Sequence, residues 1–201
     1  MKKTILVIDA CVRREESRTK KLLEAALDTV RKENPDWNLE ILNLMDLDLI
    51  YWKTETLKER DKLLAKKEYD APVFKYGNQF READGVIVAA PFWDLSIPAV
   101  LKVYIENISA EGITFGCNEN GLYGLCKAKW LLFLTTRGGI WADSDMEQGS
   151  TYMEALCKFF GIDEYACVYA DGIDVQELDG EEILREAIEE TKGICTRLSC
   201  E

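Results

Sequence analysis

The chain has 201 residues, of which 47% are hydrophobic and 31% charged, a composition that folds as one domain of ordinary size and excludes a disordered chain. It contains no histidine, which excludes Ser-His-Asp and Cys-His catalysis and leaves a zinc site only cysteines and carboxylates. The formal net charge of −12 argues against nucleic acid and anionic membranes as partners.

The charge is uneven. From Asp143 onward there are 16 acidic and 4 basic residues, while residues 1–142 balance to zero. A solvated acidic face is the plain reading of that bias. The seven cysteines are odd in number and include no Cys-x-x-Cys, so neither a disulfide framework nor a metal cluster is expected. The opening Met-Lys-Lys is followed by an apolar stretch, Ile5–Ile8, that ends at Asp9. That is shorter than the ~7–15 apolar residues of a secretory signal. The longest apolar run, Val86–Trp93, falls well short of the roughly 20 residues of a membrane helix. A cytoplasmic protein is expected.

In chain order, Thr4–Asp9 is a β-branched apolar run and predicts a strand. Ser17 then precedes Leu22, Leu23, Ala26, Leu27 and Val30 at helical spacing, stopped by Asn34-Pro35-Asp36. Leu39–Leu44 reads as a second strand. Residues 55–82 read as charged helix interrupted near Pro72. Gly85–Ala90 is apolar throughout, as in a strand buried on both faces. A helix is expected from Pro98 to Ser109, a Gly/Asn-rich loop over 111–124, and a fourth strand at Trp130–Thr135. Thr151–Phe160 is a helix stopped by Gly161, Tyr165–Ala170 a fifth strand, and Glu181–Leu198 the last helix. Strands alternating with helices imply an α/β fold with a parallel sheet covered on both sides. With right-handed crossovers, the leading topology is a three-layer, flavodoxin-like domain over residues 1–201 with strand order 2-1-3-4-5.

Ligands of such sheets bind beyond the carboxyl ends of the strands. Three segments fall there. Residues 10–19 run from a strand into a helix start, where free amides and the helix dipole attract anions. Ser17 either caps that helix or donates to an anion. Pro91-Phe92-Trp93-Asp94-Leu95-Ser96 sets two aromatics and an acid at the end of a buried strand. These rings either finish the core or lie against a flat ligand, and Ser96 can cap the helix after it. Thr136-Arg137-Gly138-Gly139-Ile140-Trp141 places two glycines after the fourth strand, as a plain turn or as amides open to a ligand. Neither the dinucleotide nor the P-loop glycine fingerprint occurs.

The run Gly85–Lys102, with Glu111–Phe115, Thr135-Thr-Arg-Gly-Gly139 and Phe159–Ile162, resembles the azoreductase and quinone-reductase branch of the flavodoxin-like flavoproteins. The resemblance implies a homodimer with its site at the dimer interface, tightly bound FMN, NADH or NADPH as electron donor, and quinone, azo or nitroaromatic acceptors served by a ping-pong route. It puts Ser17, Arg18 and Thr19 on the FMN phosphate. It puts Pro91, Phe92, Trp93, Asp94 and Leu95 along the isoalloxazine, and Thr136, Arg137, Gly138 and Gly139 at its pyrimidine end. Phe115, Cys117 and Trp93 would line the substrate pocket. The flavin carries the chemistry, so no catalytic side chain and no metal is implied. This chain departs from the family in having Asp94 where relatives commonly carry asparagine, and Ala10 and Arg13-Arg14 in the phosphate loop. An ionised aspartate cannot donate the hydrogen bond that an asparagine amide can. The competing reading is a flavodoxin-like electron carrier without its own NAD(P)H turnover, for which an acidic docking face speaks.

Overall fold

A computed structural model describes residues 2–199. Its centre is a five-stranded parallel sheet. In chain order the strands and helices are β1 (Thr4–Asp9), α1 (Arg18–Glu33), β2 (Asn38–Asn43), α2 (Thr54–Ala65), α3 (Lys75–Glu82), β3 (Gly85–Ala89), α4 (Ala99–Ile108), β4 (Phe115–Asn118), β5 (Gly121–Gly124), β6 (Trp130–Thr136), α5 (Gly149–Phe160), β7 (Glu164–Ala170) and α6 (Gly180–Leu198). The sheet order is β2-β1-β3-β6-β7, parallel throughout. The five-stranded parallel sheet matches the sequence expectation. The strand numbering does not, because 111–124 is not an irregular loop. It folds into an antiparallel hairpin, β4 with β5, outside the main sheet.

Side chains of a strand alternate between faces, and here both faces are covered. Leu6, Ile8, Val86, Val88, Leu131 and Phe133 face one apolar layer with Phe80, Leu101, Tyr104, Met153 and Phe160 from α3, α4 and α5. Ile5, Val7, Ile87, Ala89, Leu132 and Leu134 face the other with Leu22, Leu23, Ala26, Leu184 and Ala187 from α1 and α6. Every residue of β3 and β6 is buried. Each such Leu, Ile or Phe contributes roughly 1.5–3 kcal/mol on leaving water, which fixes β3 and β6 at the centre.

The residues 47–53 are not a regular element, yet they are pinned. The buried Asn107 side chain accepts the Ile50 N–H at 3.0 Å and donates to the Ile50 carbonyl at 2.8 Å, as a strand neighbour would. α5 ends at Gly161, whose φ of 77° is the left-handed helix stop that the sequence marks. The six described cysteines are all free. No helix among the described residues is long and apolar enough to cross a membrane.

The hairpin lies directly on the end of α5. A Cβ on Gly124 would sit 2.0 Å from the Gly161 nitrogen and from the Phe160 carbonyl carbon, and backbone cannot yield as a side chain can. Gly124→Ala is expected to lower stability by about 1–3 kcal/mol, read as a fall in the urea midpoint. An unchanged midpoint would show that the hairpin is not seated there.

Candidate functional site

At the carboxyl edge of the sheet, the chain turns after β1, β3, β6 and β7 enclose a cleft of about 310 Å³. Ser17, Arg18, Pro91, Phe92, Trp93, Thr136 and Gly138 all line it, so the three sequence segments do meet. Arg13, Glu16 and Asp174 line it as well.

The first wall is the start of α1. Ser17 occupies the N-cap position, yet its hydroxyl makes no capping bond. The N–H groups of Arg18 and Thr19 donate to no atom of the described residues, as expected in the first turn of a helix. A buried hydroxyl and two open amides at a helix N-terminus form a cradle for an anion. Thr19 itself is fully buried, its hydroxyl 2.7 Å from that of Thr136, and so ties the first segment to the third from below. Beneath the loop, Asp9 accepts Lys20 Nζ at 2.5 Å and the Cys11 N–H at 3.0 Å. Burial lowers the Lys20 pKa, but the hydrogen bond and charge of Asp9 outweigh it and raise it overall from the ordinary 10.5.

The second wall is a two-residue turn. Trp93 and Ser96 exchange both backbone hydrogen bonds, at 3.1 and 2.8 Å, and φ is positive at the central residues, 49° at Asp94 and 66° at Leu95. Aspartate tolerates that region, but for leucine it costs roughly 1–2 kcal/mol. The strain sits at the cleft mouth, where it leaves the N–H groups of Asp94 and Leu95 without partners among the described residues. Ser96 does not cap α4: the N-cap position is Pro98, two residues later, and the helix has no side-chain cap.

The third wall is the loop after β6. A Cβ at Gly138 would lie 2.6 Å from Asp174 Oδ2, and one at Gly139 would lie 2.9 Å from Trp141 Nε1, so a larger residue at either position would displace one of these side chains. Their carbonyls accept the N–H groups of Asp174 and Gly172, both at 2.9 Å, while their own N–H groups donate to no described residue. The Arg137 side chain does not enter the cleft. It is 2% exposed, turned into the protein between Glu147 and Asp171.

Across the opening, Arg18 forks onto Asp174 at 2.6 and 3.0 Å. This hydrogen bond raises the Arg18 pKa and holds Asp174 below the usual carboxylate range. Both groups are solvent-accessible, so the pair adds little stability. Asp174 has no counterpart in the sequence reading because it is 156 residues from Arg18. The available signal was its position just past the last strand, on the edge where ligands bind.

Phe115 and Cys117 are not brought to this cleft within one chain. Both lie on β4, where Phe115 packs against Phe159 with ring centroids 4.6 Å apart. Cys117 is exposed and lines a separate groove with Tyr69 and Tyr123. Burial pushes the thiols of Cys11, Cys126 and Cys195 up to about 12, and those of Cys157 and Cys167 to about 11.

Residues 3–194 match the protein-family model described as Flavodoxin-like fold. The chain is 35% identical over 192 residues to the FMN-dependent NADH:quinone oxidoreductase of Clostridium beijerinckii, covering 94% of this chain and 96% of that protein. It is 34% identical over 186 residues to the protein of the same name from Coprothermobacter proteolyticus, covering 90% and 91%. Among solved structures, an azoreductase from Bacillus anthracis str. Sterne superposes with a TM-score of 0.87 at 28% identity, over 98% of this chain and all of that one. An FMN-dependent NADH-azoreductase from Bacillus anthracis str. Ames Ancestor, solved in complex with FMN, gives 0.86 at 25% identity, over 99% and 100%.

Two outcomes follow from the local chemistry. Lys20→Met strands the buried Asp9 carboxylate and is expected to cost about 3 kcal/mol, measured by urea unfolding. Because the Lys20 pKa is raised on folding, the pair's contribution is complete below the ordinary lysine value of 10.5 and fades as pH rises through the raised one. Among the described cysteines, Cys117 is expected to be alkylated first by iodoacetamide at mildly basic pH. Peptide mapping that finds Cys11 or Cys195 labelled as fast as Cys117 would contradict the burial.

Proposed function

Because the chain belongs to this flavodoxin-like family, we propose that it is an FMN-dependent NADH oxidoreductase acting on quinone or azo acceptors. The observation that carries the site assignment is the cleft of three walls, each presenting backbone N–H groups that no described residue uses.

The residues fit FMN. Ser17 offers a hydroxyl that makes no helix-capping bond, and Arg18 and Thr19 offer open amides at the start of α1, which suits a phosphate. Arg13 adds positive charge to the same rim. Phe92 and Trp93 supply flat apolar surface for a planar ring, beside Pro91. The amides of Asp94 and Leu95 can donate to the edge of that ring where the Asp94 carboxylate cannot. Those of Gly138 and Gly139 suit the pyrimidine end, where donors stabilise negative charge that builds up on reduction. When bound, FMN supplies the redox chemistry, accepting hydride from NADH and passing the electrons to a quinone or an azo bond. The protein needs no general base to begin that exchange, which fits a chain without histidine.

The assembly belongs to the proposal too. Two copies pair so that the β4–β5 hairpin of one brings Phe115 and Cys117 over the cleft of the other. In support, the hairpin exposes Leu122 and Tyr123, and the cleft mouth exposes Trp93, Leu95, Ile140 and Met146, apolar groups that a second copy would cover. The location is the cytoplasm, where NADH is supplied and free thiols stay reduced.

An anaerobic absorbance spectrum taken before and after NADH tests the reading. Flavin bands that bleach on NADH support the oxidoreductase. Bands that persist mean an electron carrier, and no uptake of added FMN overturns the assignment of the cleft. Ser17→Ala is expected to weaken FMN binding about tenfold, the loss of one charge-assisted hydrogen bond. Riboflavin, which lacks the phosphate, should bind the variant and the parent alike.

A further inference from the structure

The largest fully buried side chain of the described residues is charged, and it stands behind the cleft. Arg137 follows Thr136, the last residue of β6. Its Nη2 lies 3.3 Å from Glu147 Oε1 and 3.4 Å from Ser150 Oγ, and its Nη1 lies 3.6 Å from Asp171 Oδ1. Its guanidinium stacks 4.4 Å from the Tyr169 ring centroid and 5.7 Å from that of Phe92. Its Nε has no partner. A buried cation whose hydrogen bonds are incomplete is an expensive way to hold a fold together, since apolar side chains of the same volume are often as stable.

The two carboxylates around Arg137 tie it to the segments that border the cleft. Glu147 accepts the N–H groups of Gly149 and Ser150 at 3.0 and 2.9 Å and the Ser150 hydroxyl, closing the start of α5. Asp171 Oδ2 accepts the N–H groups of Trp141 and Ala142 at 2.8 and 3.0 Å, which folds the loop after β6 back against the end of β7. The Trp141 ring then packs on Phe92, centroids 5.7 Å apart, and confines Gly139. The backbone of Arg137 completes the ring of contacts, donating to Ala170 at 2.8 Å and accepting from Ile173 at 3.2 Å.

We propose that Arg137 is a positioning residue for bound flavin: its buried guanidinium, clasped by Glu147 and Asp171, fixes the Gly138-Gly139 amides and the Phe92 ring and offsets the two carboxylates behind the flavin's pyrimidine end. The inference rests on reading the cleft as the FMN site. It reassigns Arg137 from a side chain that touches cofactor to one that acts through its neighbours. The three charges sum to −1, and removing the cation leaves two carboxylates facing a region that gains negative charge on reduction. The sign of the effect on the flavin potential is therefore set by which charge is removed.

The test uses the full-length protein, its apo form titrated with FMN and the potential of the bound flavin measured by anaerobic redox titration. Arg137→Met is expected to weaken FMN binding about tenfold and to make the potential more negative. Asp171→Asn, which keeps an oxygen for Trp141 and Ala142, is expected to make it less negative. Arg137→Lys keeps the charge without the planar fork. It should hold the potential near that of the parent, with weaker FMN binding and faster hydrogen exchange at Trp141 and Ala142 in the apoprotein. Should the methionine variant fail to fold, the lysine and asparagine variants carry the test. Shifts of the potential in the same direction for Arg137→Met and Asp171→Asn would overturn the proposal. So would parental FMN affinity and potential in the arginine variants with only stability reduced, the mark of a plain structural ion pair. Failure of the parent protein itself to bind FMN is a separate result, since it removes the cofactor reading before any variant is compared.

Discussion

Burial of β3 and β6 on both faces is the constraint from which the rest of the structure follows. Every residue of either strand is buried, so a side chain can meet a ligand only where a strand ends, as Thr136 does at the last position of β6. Helices must cover both sides, crossovers must be long, and polar groups are pushed to where the strands stop. The carboxyl edge is where the chain leaves β1 and β3 beside one another, and the space between the two exits becomes the cleft. The site is the consequence of an apolar sheet having ends.

Those ends then need charge control. Asp9 closes β1 and is buried, and Lys20 from the first turn of α1 answers it. Arg137 follows β6 and is answered by Glu147 and Asp171 from two other segments. The first arrangement pairs a buried charge below the cleft one for one from within the protein, and the second answers one cation with two carboxylates. That leaves the backbone amides of the three walls as donors toward whatever occupies the space. Arg18 and Asp174 meet at the opening itself, and their exposure makes that pair worth little stability.

Much of this was legible in the sequence because period and composition coincide with the physics. β1 is the expected Thr4–Asp9, and α1, β3, β6 and α6 fall within a residue or two of their patterns. Apolar strands and i, i+3, i+4 spacing report burial directly. The hairpin was missed because β4 and β5 have four residues each, too few for alternation to register, and glycine and asparagine there read as loop. The turn between them is Glu119-Asn120, and Gly121, with a φ of 110°, opens β5. For the site, position was legible and direction was not. Sequence places Arg137 on the right edge. It does not say that the guanidinium turns inward, which depends on carboxylates 10 and 34 residues later in the chain. Asp94 and Leu95 show the same gap: their place at the end of a buried strand was expected, the tight turn with left-handed backbone at a leucine was not.

The positive φ at Leu95 fits the cleft's need for donors. A strand leaving a fully buried sheet carries its amides into turns that satisfy them internally, as Trp93 and Ser96 do. To leave two consecutive amides open at the same point, the backbone must curl without closing a helical turn, and the left-handed pair does this in two residues. Glycine would adopt that shape at no steric cost but would loosen the turn. Leucine adopts it under strain, and its carbonyl is then fixed by the Gln148 N–H at 2.9 Å, just before α5. That same stretch carries Glu147, one of the two clasps on Arg137. The second and third walls thus share one anchor at the start of α5, so the open amides of the turn and of the glycine pair are held relative to one another by a single buried charge cluster, even though they lie more than 40 residues apart in sequence.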